Sequence, residues 1–284
     1  MSAMLEIKNL SKTFNKGTIN EKIALDHISL TLNEGDFVTV IGGNGAGKST
    51  MLNAVAGVWP VDEGAIIVDG NNITGLPDFK RATLIGRVFQ DPMLGSAPDM
   101  QIIENLALAA RRGKRRTLKW GVTKKEKEEY KEQLKILDLG LEDRLTQKVG
   151  LLSGGQRQAL TLLMASIQKP KLLLLDEHTA ALDPKTAKKV LDITKMIVER
   201  DHLTALMVTH NMKDAIQTGN RLIMMYNGHI MFEVSGEEKK NLTVDQLMKM
   251  FSQAAGEEFA DDQSLLNKKQ KSTIQCAFFV LKLK

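Results

Sequence analysis

Residues Gly42–Thr50 read GGNGAGKST, and Gly42, Gly47, Lys48 and Ser49 stand at the spacing G-x-x-x-x-G-K-[ST] of a phosphate-binding loop. Ahead of the loop, FVTVIG (Phe37–Gly42) is apolar and β-branched in the manner of a buried strand, and after it STMLNAVAG (Ser49–Gly57) can run as a helix. Strand, glycine loop and helix in that order are the context the motif requires. Backbone N–H groups and the helix N-terminus then point together at a phosphate. Gly42, Gly43, Asn44, Gly45, Ala46, Gly47, Lys48, Ser49 and Thr50 are therefore expected to hold nucleotide phosphates, with Lys48 reaching the β- and γ-phosphates and the Ser49 hydroxyl ligating Mg²⁺. A chance match in a glycine-rich turn is the competing reading, and the flanking strand and helix weigh against it.

The chain has 284 residues, of which 43% are hydrophobic, enough for one large domain or two smaller ones with a substantial core. Its single cysteine, Cys276, allows neither an intramolecular disulfide nor a Cys-based metal site, which points to a reducing compartment. The N-terminal MSAMLEIKNL lacks a basic stretch followed by a long apolar one, and no run approaches the roughly 18 apolar residues that span a bilayer. Any membrane role is expected to come through a partner. The net charge of +5 is unevenly placed, since Arg111–Lys131 holds ten Lys or Arg against three acidic residues.

LEIKNLSKTF (Leu5–Phe14) and IALDHISLTL (Ile23–Leu32) alternate apolar and polar residues as half-exposed strands do, and together suggest an antiparallel sheet. Phe14 lies just ahead of a turn-like NKG, where its ring could stack on adenine or simply end a strand in the core. GAIIVDG (Gly64–Gly70) reads as a short strand, and LIGRVFQDP (Leu84–Pro92) as a strand ending in a polar turn that carries Gln90. A glutamine at the carboxyl end of a strand in an α/β sheet can reach a bound ligand, although in a turn it is more often only solvated. From Ile102 to Leu141 helical patterns replace short strands, interrupted by RRGKRR (Arg111–Arg116), so a helical subdomain is expected. The basic cluster suits a solvated loop better than a nucleic-acid surface, because Trp120 and Tyr130 are its only aromatic candidates for base stacking.

LLSGGQRQAL (Leu151–Leu160) places Ser153, Gly154 and Gly155 before a helix expected to start near Gln156, which makes a second anion site. One nucleotide does not need two such sites in one chain, so this one is expected to serve a nucleotide held by a second copy. KLLLLDEHTAALDP (Lys171–Pro184) carries four consecutive leucines suited to a buried parallel strand, with Asp176 and Glu177 emerging at its carboxyl end. Adjacent carboxylates there divide into one that holds the Mg²⁺ shell and one that orients or deprotonates water. A helix over Lys185–Arg200 is followed by LTALMVTHN, a buried strand with His210 at its end, positioned for a γ-phosphate contact. RLIMMYNGHIMFE (Arg221–Glu233) reads as a hairpin turning at Asn227-Gly228, its methionines as core filler. VDQLMKMFSQA suggests a terminal helix. For the apolar IQCAFFVL (Ile274–Leu281), docking on the core, an intermolecular contact and an expression remnant all fit.

With the phosphate loop, Gln90, LSGGQ, the acidic pair and His210 in this order, residues Leu5–Met250 resemble the ATP-binding subunit of an ABC transporter. LSGGQ is the specific element. The resemblance implies an α/β P-loop NTPase (RecA-like) core with an N-terminal antiparallel β subdomain and an inserted helical subdomain: 1–250 as the ATPase domain, 91–159 its helical signature part, and 251–284 a tail of unassigned role. It makes Phe14 the adenine-stacking aromatic and Gln90 the residue sensing both Mg²⁺ and the membrane partner. Ser153, Gly154, Gly155 and Gln156 belong to the signature loop over the opposite subunit's ATP, Asp176 is the metal-holding aspartate, and Glu177 the catalytic glutamate. Asp183 crosses the dimer interface, and His210 is the switch histidine. His178, Thr179 and Ala180 depart from the Pro-Thr-Ser often found there. DEHTAALDP resembles a subgroup of bacterial importers for aromatic or other hydrophobic amino acids.

The mechanism implied is a head-to-tail homodimer sandwiching two ATP molecules, each between Lys48's loop on one chain and Ser153's on the other. The implied partners are integral-membrane permease subunits, a second copy of the chain and, indirectly, an extracytoplasmic substrate-binding protein, with no nucleic acid. The implied place is the cytoplasmic face of the cell membrane, peripherally bound. The alternative is a soluble ABC-type ATPase acting on ribosomes or nucleic acid, which the basic segment would serve. One cassette and about sixty residues between Gln90 and Ser153 argue against it.

Overall fold

A computed structural model describes residues 2–114 and 121–255. The end of the basic cluster with Trp120, Cys276 and the IQCAFFVL stretch lie outside the described residues. In chain order the elements are β1 (Ala3–Phe14), β2 (Lys22–Asn33), β3 (Phe37–Ile41), α1 (Lys48–Ala56), β4 (Glu63–Val68), β5 (Asn71–Asn72), α2 (Asp78–Arg81) and β6 (Ile85–Val88). Then come α3 (Ile102–Ala110), α4 (Lys124–Lys135), α5 (Gly154–Ser166), β7 (Leu172–Asp176), α6 (Pro184–Asp201) and β8 (Thr204–Val208). The last are α7 (Met212–Gln217), β9 (Arg221–Tyr226), β10 (His229–Ser235), α8 (Gly236–Lys240) and α9 (Val244–Ala255).

Two sheets organise them. The smaller runs β2-β1-β4-β5 and is antiparallel, so the expected β1–β2 pair is extended by two strands that follow the glycine loop. The larger runs β10-β9-β3-β8-β7-β6, parallel from β9 through β6 and closed at one edge by the β9–β10 hairpin. Strands buried on both faces need apolar residues at every position, and β7 supplies them. Leu173 and Leu175 point into one core cluster with α3, α4, α5 and α6, while Leu172 and Leu174 point into another with α1 and the smaller sheet. β8 splits in the same way, with Ala205 and Met207 on one side and Leu206 and Val208 on the other.

Several expectations change. The strand anticipated over Leu84–Pro92 ends at Val88, because Asp91 turns the chain: its carboxylate accepts from Met93 N at 2.9 Å and its carbonyl from Leu94 N at 3.1 Å. Helix α5 starts at Gly154, not near Gln156, because Ser153 serves as its N-cap. The division at 159/160 falls within this helix. Met224 and Met225 are core residues as read, but Met231 is exposed on the outer face of the hairpin.

Candidate active site

The glycine loop turns from β3 into α1, and its glycines answer steric demands. A Cβ on Gly42 would sit 2.2 Å from the Met225 carbonyl oxygen, and one on Gly47 would sit 2.5 Å from that of Ala24. Gly45 and Gly47 also take φ of 80° and 98°, in the left-handed region that side chains avoid. Lys48 opens α1 with its side chain buried, and its ammonium donates to the carbonyls of Gly42 at 2.7 Å and Gly43 at 2.9 Å. The loop thus holds its own cation against its wall, ready-placed beside the N–H groups of Asn44 to Thr50.

Around this loop opens a cleft of about 250 Å³ lined by Asn44 to Thr50, Phe14, Lys22, Ala24, Glu177 and His210. Phe14, at the end of β1, is fixed by an edge-on contact with Trp59, the centroids 5.0 Å apart at 84°, and by Lys12, whose ammonium lies 5.6 Å from its ring centre. Lys22 and Trp59 were not singled out by sequence, since neither belongs to a motif; they reach the site only because β1 and β2 pair and the chain beyond α1 folds back. A larger open groove of about 420 Å³ beside α6, lined by Lys185, Lys188 and Lys189 among others, contains none of the motif residues.

The acidic pair sits at the end of β7. Glu177 takes φ of 45°, and its N–H donates to Val208 O at 3.0 Å, which turns its side chain across to β8. There His210 Nε2 lies 2.5 Å from Glu177 Oε1, while His210 Nδ1 is buried without a hydrogen-bond partner. Asp176 points the other way. Its carboxylate accepts from Arg87 Nη2 at 3.2 Å, and that same nitrogen donates to Asn53 Oδ1 at 2.8 Å. Burial raises the Asp176 pKa; Arg87 opposes the rise and Glu177 adds to it. Asn53 in turn donates to the Ser49 carbonyl at 2.8 Å, so one hydrogen-bonded chain joins Ser49 to Asp176. Arg87 is a site residue that sequence reading passed over, a lone cation inside an apolar strand being the signal it left.

His178, next in sequence, is fully enclosed. Its Nε2 bonds the Thr194 hydroxyl at 2.9 Å while that hydroxyl donates to Val190 O at 2.8 Å, and burial lowers its pKa to about 4. It therefore stays neutral and ties the loop after Glu177 to α6.

The LSGGQ residues lie outside this cleft. Ser153 and Gln156 form a capping box, with Gln156 N donating to Ser153 Oγ at 3.3 Å and Ser153 N donating to Gln156 Oε1 at 3.2 Å. A Cβ on Gly155 would sit 2.1 Å from Thr186 Cγ2, so the glycine is what lets α5 meet the start of α6. Asp183 caps α6, accepting from Lys185 N and Thr186 N at 3.2 Å each, and hydrogen bonds from Thr186 hold its carboxyl below the usual range. Ser153, Gly154 and Asp183 are exposed. Gln90, past the end of β6, is exposed and does not line the cleft, although the loop before it is tied to α5 by Gln158 Nε2 donating to Phe89 O at 3.1 Å.

The family described as ABC transporter matches residues 25–180. Over 251 residues the chain is 45% identical to a tyrosine transport ATP-binding protein of Clostridioides difficile (strain R20291), covering 88% of this chain and 100% of that protein. It is 36% identical over 239 residues to the spermidine/putrescine import ATP-binding protein PotA of Haemophilus influenzae, covering 83% of this chain but only 59% of that longer protein. A solved dimeric ATP-binding cassette in a post-hydrolysis state bound to ADP and Pi superposes with a TM-score of 0.70 at 31% identity, covering 82% of this chain and 98% of the other.

Proposed function

The chain belongs to the ABC transporter family as an ATP-hydrolysing subunit, and from that premise we propose that it drives import through a separate membrane permease, working as a head-to-tail homodimer. The substrate class that fits is an amino acid with an aromatic or hydrophobic side chain, delivered by an extracytoplasmic binding protein. The relative named for tyrosine transport supports this, as does the DEHTAALDP sequence.

The observation that carries the chemistry is the Glu177–His210 pair opening into the same cleft as Lys48 and the glycine loop. On this reading Phe14 stacks the base, the loop N–H groups and Lys48 bind the β- and γ-phosphates, and Glu177 positions and deprotonates the attacking water. His210 orients Glu177 and meets the charge that develops on the γ-phosphate. Ser153 to Gln156 of a second copy close over the nucleotide, and Asp183 lies at the junction between copies. Gln90 and residues 91–159 carry the motion to the permease.

Mg²⁺ suits the donor set: the Ser49 hydroxyl and the Asp176 carboxylate are hard oxygen ligands on residues that Asn53 and Arg87 link through the Ser49 backbone carbonyl, and phosphate oxygens and water would complete such a shell. When bound, the ion neutralises charge on the β- and γ-phosphate oxygens.

Among the described residues no helix is long and apolar enough to cross a membrane, so we assign attachment to the permease at the cytoplasmic face. The test is purification of the tagged chain from detergent-solubilised membranes. An integral-membrane protein should copurify through a high-salt wash, and ATP hydrolysis by the reconstituted complex should rise with tyrosine-loaded binding protein. A chain recovered instead with ribosomes or RNA, with no membrane partner, overturns the reading.

A further inference from the structure

Arg87 stands against the enclosed carboxylate of Asp176, its Nη2 3.2 Å from Oδ2. It lies on β6, the edge strand beside β7, and its side chain is 14% exposed, about as enclosed as that of Asp176 at 15%. Its guanidinium carbon lies 4.5 Å from the Phe89 ring centre, which leaves one edge free to reach Asp176 and Asn53. Its Nε is buried with no hydrogen-bond partner, so the strong contacts of the group are concentrated on Nη2. Through that nitrogen a full positive charge rests on Asp176 Oδ2, at the end of the chain of hydrogen bonds that leads to Ser49.

We propose that Arg87 is a built-in counter-cation that competes with Mg²⁺ for Asp176 and so sets the Mg²⁺ concentration at which this subunit loads nucleotide. The proposal rests on the reading of Asp176 and Ser49 as the metal-holding pair. Two cations cannot share one enclosed carboxylate oxygen without repulsion, so metal entry has to displace the guanidinium or push it onto Asn53 and Phe89. Arg87 thereby acts as a positioning residue: it holds the carboxylate in place in the metal-free site through the Nη2 contact, and it withholds it from weakly bound ions.

The test titrates Mg²⁺ into the full-length chain in the presence of a fluorescent ATP analogue, following bound nucleotide without turnover. In Arg87→Met, which keeps the length and the contact with Phe89, half-maximal loading should need roughly fivefold less Mg²⁺ than wild type, the size of effect a partly buried pair supports. Arg87→Lys keeps the charge and should stay near wild type, which separates competition from damage to the strand. In an Asp176→Asn background Arg87→Met should no longer move the midpoint. A wild type that loads with Mg²⁺ dependence and an Arg87→Met midpoint that is unchanged or higher overturn the proposal alone. Wild-type loading indifferent to Mg²⁺ overturns the assignment of Asp176 beneath it.

Discussion

His210 Nε2 stands 2.5 Å from Glu177 Oε1, across the ends of the neighbouring parallel strands β8 and β7. An imidazole in that place fixes the direction of the carboxylate, and the carboxylate fixes which ring nitrogen faces the cleft.

Replacing Glu177 with Gln keeps the shape and the contact to His210 but removes the base. ATP binding should remain within a few-fold, while phosphate release falls by about a hundredfold or more. The variant should accumulate as an ATP-bound dimer on gel filtration; a monomer with normal turnover would remove Glu177 from the chemistry. His210→Ala should lower turnover with little change in ATP affinity.

Lys48→Ala deletes the cation that the loop holds against Gly42 and Gly43. With the charge-assisted bonds to phosphate gone, affinity for a fluorescent ATP analogue should fall at least about thirtyfold, equivalent to roughly 2 kcal/mol. Affinity within threefold of wild type would refute the assignment.

Ser153 has two separable roles, one as the cap of α5 and one on the exposed surface expected to meet a second copy. Ser153→Ala should cost about 1 kcal/mol of stability through the lost cap. Ser153→Arg should in addition abolish hydrolysis, while nucleotide binding to the same chain stays near that of the Ala variant. Equal loss of binding in the Arg variant would argue against a site shared between copies.

Gly155→Ala drives a methyl group into Thr186 Cγ2. The expected cost is about 1–3 kcal/mol in denaturant unfolding. Thr186→Ser, which removes the offending methyl and keeps the hydroxyl beside Asp183, should restore most of it. If the double variant is no more stable than Gly155→Ala, the close approach of α5 to α6 is not what demands the glycine.

His178 links stability to pH. Its folded pKa of about 4 lies below the ordinary 6.5, so the unfolded chain binds the extra proton between these values. The contribution of neutral His178 is complete above pH 6.5 and is lost as pH falls toward 4, roughly 3 kcal/mol over that window. Unfolding free energies measured from pH 7.5 to 4.5 should fall more steeply for wild type than for His178→Gln. Parallel slopes would show that His178 is not the linked group.

Much of the candidate site was legible because it is written in consecutive residues. The glycine loop, LSGGQ and the acidic pair each act through backbone geometry over a few positions, so their turns, caps and following helices can be read locally. Even there the reading slipped where a side chain intervened: Ser153 capped α5 two residues earlier than expected, and Asp91 ended β6 before Gln90.

From the sequence alone came most of the longer strands and helices, the motif residues expected at a nucleotide, and the ATPase class of the chain, since these depend on residue type and short spacing. Which strands lie side by side was decided only in three dimensions. β3 pairs with β8 and β9, more than 150 residues further along, because burying apolar strands on both faces requires α1, α5 and α6 to pack above and below them. That packing puts His210 on Glu177 and Arg87 on Asp176. No spacing encodes such contacts; they arise because parallel strands joined by helical crossovers bring all their carboxyl ends to one edge of the sheet.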